Sequence, residues 1–398
     1  MINVTKPYLG DKERFKAYID KIYANNWITN QGPLHAQLEE RLRAYLGVRN
    51  IILVNNGTLA LQVAYRALGL TGSAITTPFS FVATTSTLHW ERIRPIFADI
   101  HPETWNLDPA NVEAAIEPDT SAIVATHVFG NPCDVQGLQQ VAQRHGLKVV
   151  YDGAHAFGTR YEGRSVLQWG DITTVSFHAT KLFHTIEGGA IITEDDELAE
   201  RVRRMINFGI VDAERIEGMG INAKLNEVSA AMGLCILDEL EDILARRASI
   251  GRYYEARLQG TFDLQRPTYS SQLNYSYFPV ALRDETALLD TKQALNAVGI
   301  NPRRYFYPSL ETLDYLPTPG DQADLAQAEP AHPLRAHLSR SARDHPGPAA
   351  RDPALGTAEK DQPGIPARAH HAGTAIAELG LSRRLLSRAN LILADPLL

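Results

Sequence analysis

Cysteine is nearly absent. Cys133 and Cys235 are the only two in 398 residues, too few for a disulfide framework or a cysteine-rich metal site, and both read as small core residues in a reducing cytoplasm. Positive charge is also short, because 39 lysines and arginines face 46 acidic residues, giving a net charge of -7 and a pI near 6.0. That balance gives no basic footprint for nucleic acid or an anionic membrane. No run approaches the roughly 18 apolar residues of a membrane span, and Met1 to Lys6 carry no apolar signal-peptide core. A cytoplasmic protein with no nucleic-acid and no membrane partner is the expectation.

What is present is a regular alternation. After a polar-faced helix at 11–25, a turn-rich loop at Thr29 to Pro33 and an amphipathic helix at Leu34 to Leu46, short apolar runs recur. They fall at Ile51 to Val54, Ala74 to Thr77, Pro95 to Ile100, Ala122 to Val128, Lys148 to Tyr151, Ile172 to Phe177 and Gly189 to Thr193. Segments with helical spacing separate most of them. Continuous apolar strands arise when both faces of a sheet are covered, so the spacing predicts an α/β domain with a seven-stranded, mostly parallel sheet flanked by helices. A helix at 195–206 and one long helix, or two end to end, over 222–257 lead to a smaller α/β domain. That part is expected to hold a strand near Tyr275 to Leu282, a helix from Glu285 to Val298 and an extended Arg303 to Tyr307.

Four stretches stand at predicted strand ends, where open α/β sheets bind ligands. Asn56-Gly57-Thr58 opens a helix directly after a strand. Free backbone N–H groups and the helix dipole there favour a phosphate, although the tripeptide alone reads at least as well as a plain N-cap. Asp152-Gly153-Ala154-His155 ends another strand, where the carboxylate either caps the turn or pairs with a protonated ring nitrogen. Thr77 to Thr84 places Phe79 and Phe81 where an aromatic either packs in the core or covers a planar cofactor.

Lys181 lies on a turn at the edge of the sheet, between the runs ending at Phe177 and starting at Gly189. A lone lysine there would simply be solvated. Set with the other three, 29 residues after Asp152, it completes the parts that pyridoxal 5'-phosphate needs: a Schiff-base lysine, a ring-nitrogen partner, a phosphate seat and a ring cover. Gly218 to Ala223 matches GxGxxA but follows a polar segment, which fails the context for a dinucleotide site. There is no Walker A sequence and no zinc spacing, and His178 and His184 flank Lys181 without a third ligand.

At these residues the chain resembles the DegT/DnrJ/EryC1/StrS sugar aminotransferases, fold-type I pyridoxal phosphate enzymes. The likeness runs from about Val4 to Pro317 and is most specific at Trp27 to Pro33, Asn56 to Leu61, Thr77 to Thr84, Asp152 to Ala156, Ser176 to Lys181, Glu187 to Gly189 and Leu225 to Glu227. The resemblance implies that Lys181 forms the Schiff base, Asp152 partners the pyridine nitrogen, His155 lies near the ring hydroxyl and Phe81 stacks on the ring. It puts Gly57, Thr58 and Ser176 on the phosphate, with Asn56 and His178 also in the cofactor-binding set. Asn226 would reach the phosphate of a neighbouring subunit, which implies a homodimer.

The implied reaction moves an amino group from L-glutamate to a nucleotide-linked keto sugar by ping-pong chemistry, with the freed lysine shuttling the proton. The overall likeness is greatest to enzymes acting on dTDP-4-dehydro-6-deoxyglucose, which make 4-amino sugars for lipopolysaccharide O-antigen. A related sugar dehydratase branch replaces the lysine with histidine, so the intact Lys181 weighs against that alternative.

The implied organisation is a cofactor-binding large domain at 1–250, whose N-terminal helix is placed against the small domain, a small domain at 251–317, and a tail at 318–398. In the tail Ala, Arg, Pro and His dominate and apolar periodicity vanishes until Ala375 to Leu393. It reads as a disordered linker with a terminal helix, as a shifted reading frame, or, least well because of irregular spacing, as a histidine metal site. The shifted frame is the favoured reading. It leaves the small domain incomplete and keeps an inactive or regulatory cofactor-binding homologue as a second alternative.

Overall fold

The computed structural model describes residues 2–316 and 389–393. The seven apolar runs form one sheet: Asn50–Val54 (β1), Ser73–Thr76 (β2), Arg94–Phe97 (β3), Thr120–Thr126 (β4), Lys148–Asp152 (β5), Ile172–Ser176 (β6) and Gly189–Thr193 (β7). Their spatial order is β1-β7-β6-β5-β4-β2-β3. All neighbours run parallel except β7, which lies antiparallel between β1 and β6.

Alternate residues of each strand enter two separate cores. Ile51, Leu53, Ile123, Val149 and Tyr151 face one cluster, while Ile52, Val54, Val124, Val150 and Ile191 face the other. The first is covered by α1 (Lys12–Asn25), α2 (Pro33–Leu46), α6 (Val135–His145) and α8 (Glu227–Leu237), the second by α3 (Gly57–Ala67) and α7 (Asp196–Met205). Burial on both faces is why the strands read as unbroken apolar runs. Side-chain carboxylates or amides at Asp11, Asn56, Asp134, Asp195 and Asn226 cap the helices that follow them. α4 (Val82–Trp90) adds Leu88 to the second cluster and α5 (Pro109–Ala114) adds Val112 to the first.

The 222–257 segment is two helices, α8 and α9 (Leu240–Leu258). Beyond them Asp263–Leu264 (β8), Phe278–Leu282 (β9), Arg303–Arg304 (β10) and Ala389–Leu393 (β11) form an antiparallel sheet in the order β8-β9-β11-β10, beside α10 (Glu285–Ala297). Leu258, Phe278, Val280, Leu288 and Leu295 build its core.

Three expectations change here. The terminal helix placed over 375–393 is, where described, the strand β11, because Ala389–Leu393 find open backbone partners on both β9 and β10. The tail readings otherwise lie outside the described residues. The N-terminal helix α1 does not join the core of the smaller sheet: its Tyr18 and Ile22 belong to the first cluster of the large sheet, and it is Ile2–Asn3, ahead of it, that pairs in parallel with Ile300–Asn301. The extended stretch 303–307 is strand only at Arg303–Arg304.

Helix α2 begins without a side-chain cap of its own, since Gly32 precedes Pro33. Glu227, 1% exposed, supplies the cap from α8: its carboxylate accepts the Leu34 and His35 N–H groups at 2.9 and 2.7 Å. A Cβ on residue 32 would lie 2.5 Å from the Glu227 carboxyl carbon, which requires glycine. Glu227→Ala strands two helix-end donors in a buried place, so a loss of roughly 2 kcal/mol is expected. It should appear as a lowered melting temperature, with Glu227→Gln intermediate; unchanged melting in both would refute this role.

Candidate active site

Asp152 is the last residue of β5 and is buried. Its Oδ1 accepts the Ala154 N–H at 3.0 Å, and its Oδ2 accepts the Thr84 hydroxyl at 2.7 Å. Thr84 Oγ1 lies 2.8 Å from Ser80 Oγ, which lies 2.9 Å from Thr126 Oγ1. A hydroxyl carries one proton. Because Thr84 gives its proton to Asp152, Ser80 must donate to Thr84 and Thr126 to Ser80. Three hydroxyls from three elements thus point their protons toward one carboxylate and hold it as an acceptor.

Lys181 sits on the loop between β6 and β7, both interior strands. The loop is pinned by the Phe177 N–H to the Gly188 carbonyl (2.8 Å) and the Thr185 N–H to the Phe177 carbonyl (2.9 Å). Phe177 and Phe183 anchor it from below, the latter stacked on Phe157 with centroids 4.6 Å apart. Burial holds the Lys181 ammonium below the ordinary lysine range, against the opposing pull of the Asp152 carboxylate, while Arg303 pushes it further down.

His155, also buried, accepts the Phe129 N–H on Nδ1 at 3.2 Å, which leaves Nε2 as its N–H side. Its ring lies parallel to Phe129 and 4.7 Å from Tyr277. Burial, then the Lys181 charge, keeps its pKa well below the ordinary histidine value, so the imidazole is neutral.

The start of α3 packs directly on the ends of β6 and β7. A Cβ on Gly57 would fall 2.9 Å from Ser176 Cβ, and one on Gly189 would fall 2.8 Å from the Asn56 carbonyl carbon. Only glycine lets these backbones meet, and the contact sets Ser176 beside the first-turn N–H groups of Gly57 and Thr58. Asn56 itself is spent as the N-cap, accepting the Leu59 N–H at 2.8 Å.

Phe81, the residue just before α4, is 55% exposed. His178 is exposed too and turns to Thr180 (2.8 Å) and Glu187 (3.5 Å), away from the inward groups. Asn226 caps α8 through the Ser229 N–H at 2.9 Å and forms a backbone bridge with Asn30. Among the described residues no three metal-binding side chains converge. A cavity of about 710 Å³ behind Phe129 and Tyr277 is not lined by Lys181.

The donor set fits pyridoxal 5'-phosphate on three independent counts. Gly57, whose added Cβ would meet Ser176, could with Thr58 and Ser176 seat a phosphate, Asp152 is a fixed acceptor that could take a protonated ring nitrogen, and Lys181 carries an amine with weakened affinity for its proton. The residues alone did not disclose the Thr126–Ser80–Thr84 relay. Its one local signal is the Ser80/Thr84 spacing of four, which puts both hydroxyls on one side of a helix start.

A mostly parallel seven-stranded sheet that presents a lysine and a carboxylate at its strand ends, beside a glycine-opened helix start, defines the fold-type I pyridoxal phosphate-dependent class. The chain belongs to the DegT/DnrJ/EryC1/StrS aminotransferase family, whose pattern it matches over residues 10–340. It is 42% identical over 331 residues to a dTDP-4-amino-4,6-dideoxy-D-glucose transaminase of Shigella dysenteriae, covering 82% of this chain and 90% of that protein. A protein of the same description from Escherichia coli is 40% identical over 322 residues, covering 78% and 85%. Among solved structures, DesI in the presence of its TDP-sugar product is 36% identical with a TM-score of 0.75, covering 80% of this chain and 83% of that one.

Proposed function

We propose that this enzyme transfers the amino group of L-glutamate to a nucleotide-linked keto-deoxysugar, dTDP-4-dehydro-6-deoxyglucose, giving the 4-amino-4,6-dideoxy sugar. The observation that carries the reading is the pairing of a half-buried Lys181, its ammonium destabilised, with the Asp152 carboxylate that the hydroxyl relay orients. The similarity to transaminases of that description supports the sugar and the nucleotide.

When bound, pyridoxal phosphate supplies the electron sink that makes the α-hydrogen of an amino acid acidic. The protein's residues do the rest. Gly57, Thr58 and Ser176 bind the phosphate with backbone and hydroxyl donors, and Phe81 covers one face of the ring. Asp152 keeps the proton on the ring nitrogen, and the Thr84 hydroxyl keeps Asp152 in place. His155, neutral and with its proton on Nε2, offers a hydrogen bond at the ring hydroxyl. The Lys181 amine would take the proton from the donor α-carbon and, in the second half-reaction, give a proton to the sugar carbon that receives the nitrogen, general acid–base work suited to an amine that gives up its proton more readily than an ordinary lysine.

Asn226 completes the phosphate site of a second subunit, which makes the working form a homodimer. No helix among the described residues is long and apolar enough to cross a membrane, and both cysteines are free and buried. A cytoplasmic location suits both.

With L-glutamate alone, the visible absorbance of the purified yellow protein should bleach and 2-oxoglutarate should appear. Adding the keto sugar should restore the colour and yield the amino sugar by mass spectrometry. Bound cofactor that ignores glutamate would support the inactive homologue, and loss of water from the sugar without amination would support the dehydratase.

A further inference from the structure

Arg303 and Arg304 are adjacent on β10, and successive residues of a strand project to opposite faces. Arg304 is engaged on one side: its guanidinium bonds Glu285 of α10 at 2.8 Å and lies 3.5 Å from the Tyr307 ring centroid. Arg303 points the other way. Its guanidinium carbon stands 5.0 Å over the Tyr305 ring, and among the described residues no carboxylate pairs with it.

Tyr305 leads directly into the site. Its ring meets Phe129 edge-on at 6.1 Å, and Phe129 lies parallel to His155. Arg303 lies close enough for its charge to push the Lys181 pKa down. An exposed guanidinium fork, held on an aromatic face and left without an anion, therefore stands at the mouth of the lysine site. Such a fork matches the paired oxygens of a carboxylate or a phosphate, and the ring beneath strips water from one of its faces.

We infer that Arg303, seated on Tyr305, is the anion-binding residue of the substrate site. It would grip an oxyanion of the incoming substrate, either a carboxylate of the dicarboxylic amino donor or the diphosphate of the nucleotide-linked sugar. In a ping-pong reaction the two substrates use one site in turn, and both are anionic, so one cation can serve each. This rests on the aminotransferase reading given above.

The test pairs kinetics with direct binding on the intact enzyme. Arg303→Gln should raise KM roughly 10- to 100-fold with kcat little changed, and separate titrations of L-glutamate and of the keto sugar tell which anion is held. Calorimetric titration with glutarate and with dTDP provides a readout independent of turnover: affinity for one or both should fall by the same factor. Arg303→Lys should fall between, because it keeps the charge and loses the fork. Arg304→Gln checks the strand, and should leave both affinities intact.

Unchanged KM and unchanged affinity for both probes in a folded Arg303→Gln would overturn the inference, as would a fall in kcat alone. Failure of the wild-type enzyme to aminate the sugar would instead strike the functional reading, whatever the calorimetry shows.

Discussion

Lys181→Ala is expected to lower turnover by about 10⁴-fold or more, since one side chain supplies both the covalent link to the cofactor and the proton transfer. Borohydride should fix cofactor covalently to the wild-type protein and leave the variant unlabelled. The fold should survive, because the loop is held by backbone bonds at Phe177, Thr185 and Gly188 and by the buried Phe177 and Phe183, none of which needs the lysine side chain. Small primary amines added to the variant should restore part of the activity in order of their basicity, the mark of a missing general base. A borohydride-stable link that persists in Lys181→Ala would refute the assignment.

Asp152→Asn should cost about 10³-fold in kcat/KM while cofactor remains bound, because the phosphate seat at Gly57, Thr58 and Ser176 is untouched. The amide is nearly the same size as the carboxylate but offers one acceptor oxygen where the relay and the Ala154 N–H require two. It also removes the negative charge that keeps a ring nitrogen protonated. A second consequence has a definite sign. Asp152 raises the Lys181 pKa, so its loss must let the lysine release its proton at a still lower pH, moving the acidic limb of the residual pH–rate profile downward. Wild-type kinetics in Asp152→Asn would remove the carboxylate from the mechanism.

The strands were legible in the sequence for one physical reason: both faces of the sheet are buried, so Ile51 to Val54 or Gly189 to Thr193 appear as unbroken apolar runs. Lys181, Asp152 and the Gly57 turn were legible because strand ends are where such a sheet exposes chemistry. The antiparallel β7 wedged between β1 and β6 was not, since an apolar run carries no sign of its direction. Asn56 and Asn226 followed the plainer rule that an amide before a helix caps it. The hydroxyl relay behind Asp152 and the ring path from His155 to Arg303 join residues distant in the chain, and no local pattern announces such meetings. Ala389–Leu393 shows the same limit, because five residues become a strand only through partners at 278–282 and 303–304.

That last strand also sets a timetable. β11 is an inner member of its sheet, pairing β9 across more than a hundred intervening residues and separating it from β10. The seven-stranded sheet is complete by residue 193 and can assemble while the ribosome is still at work, whereas the β8-β9-β11-β10 sheet cannot close until residue 393 has been made. Contacts of such long sequence separation form slowly, and until then β9 and β10 each expose an unpaired edge. During that interval Arg303 has no registered strand beside it, so the cofactor pocket can be assembled before the residue proposed to receive substrate anions is in position.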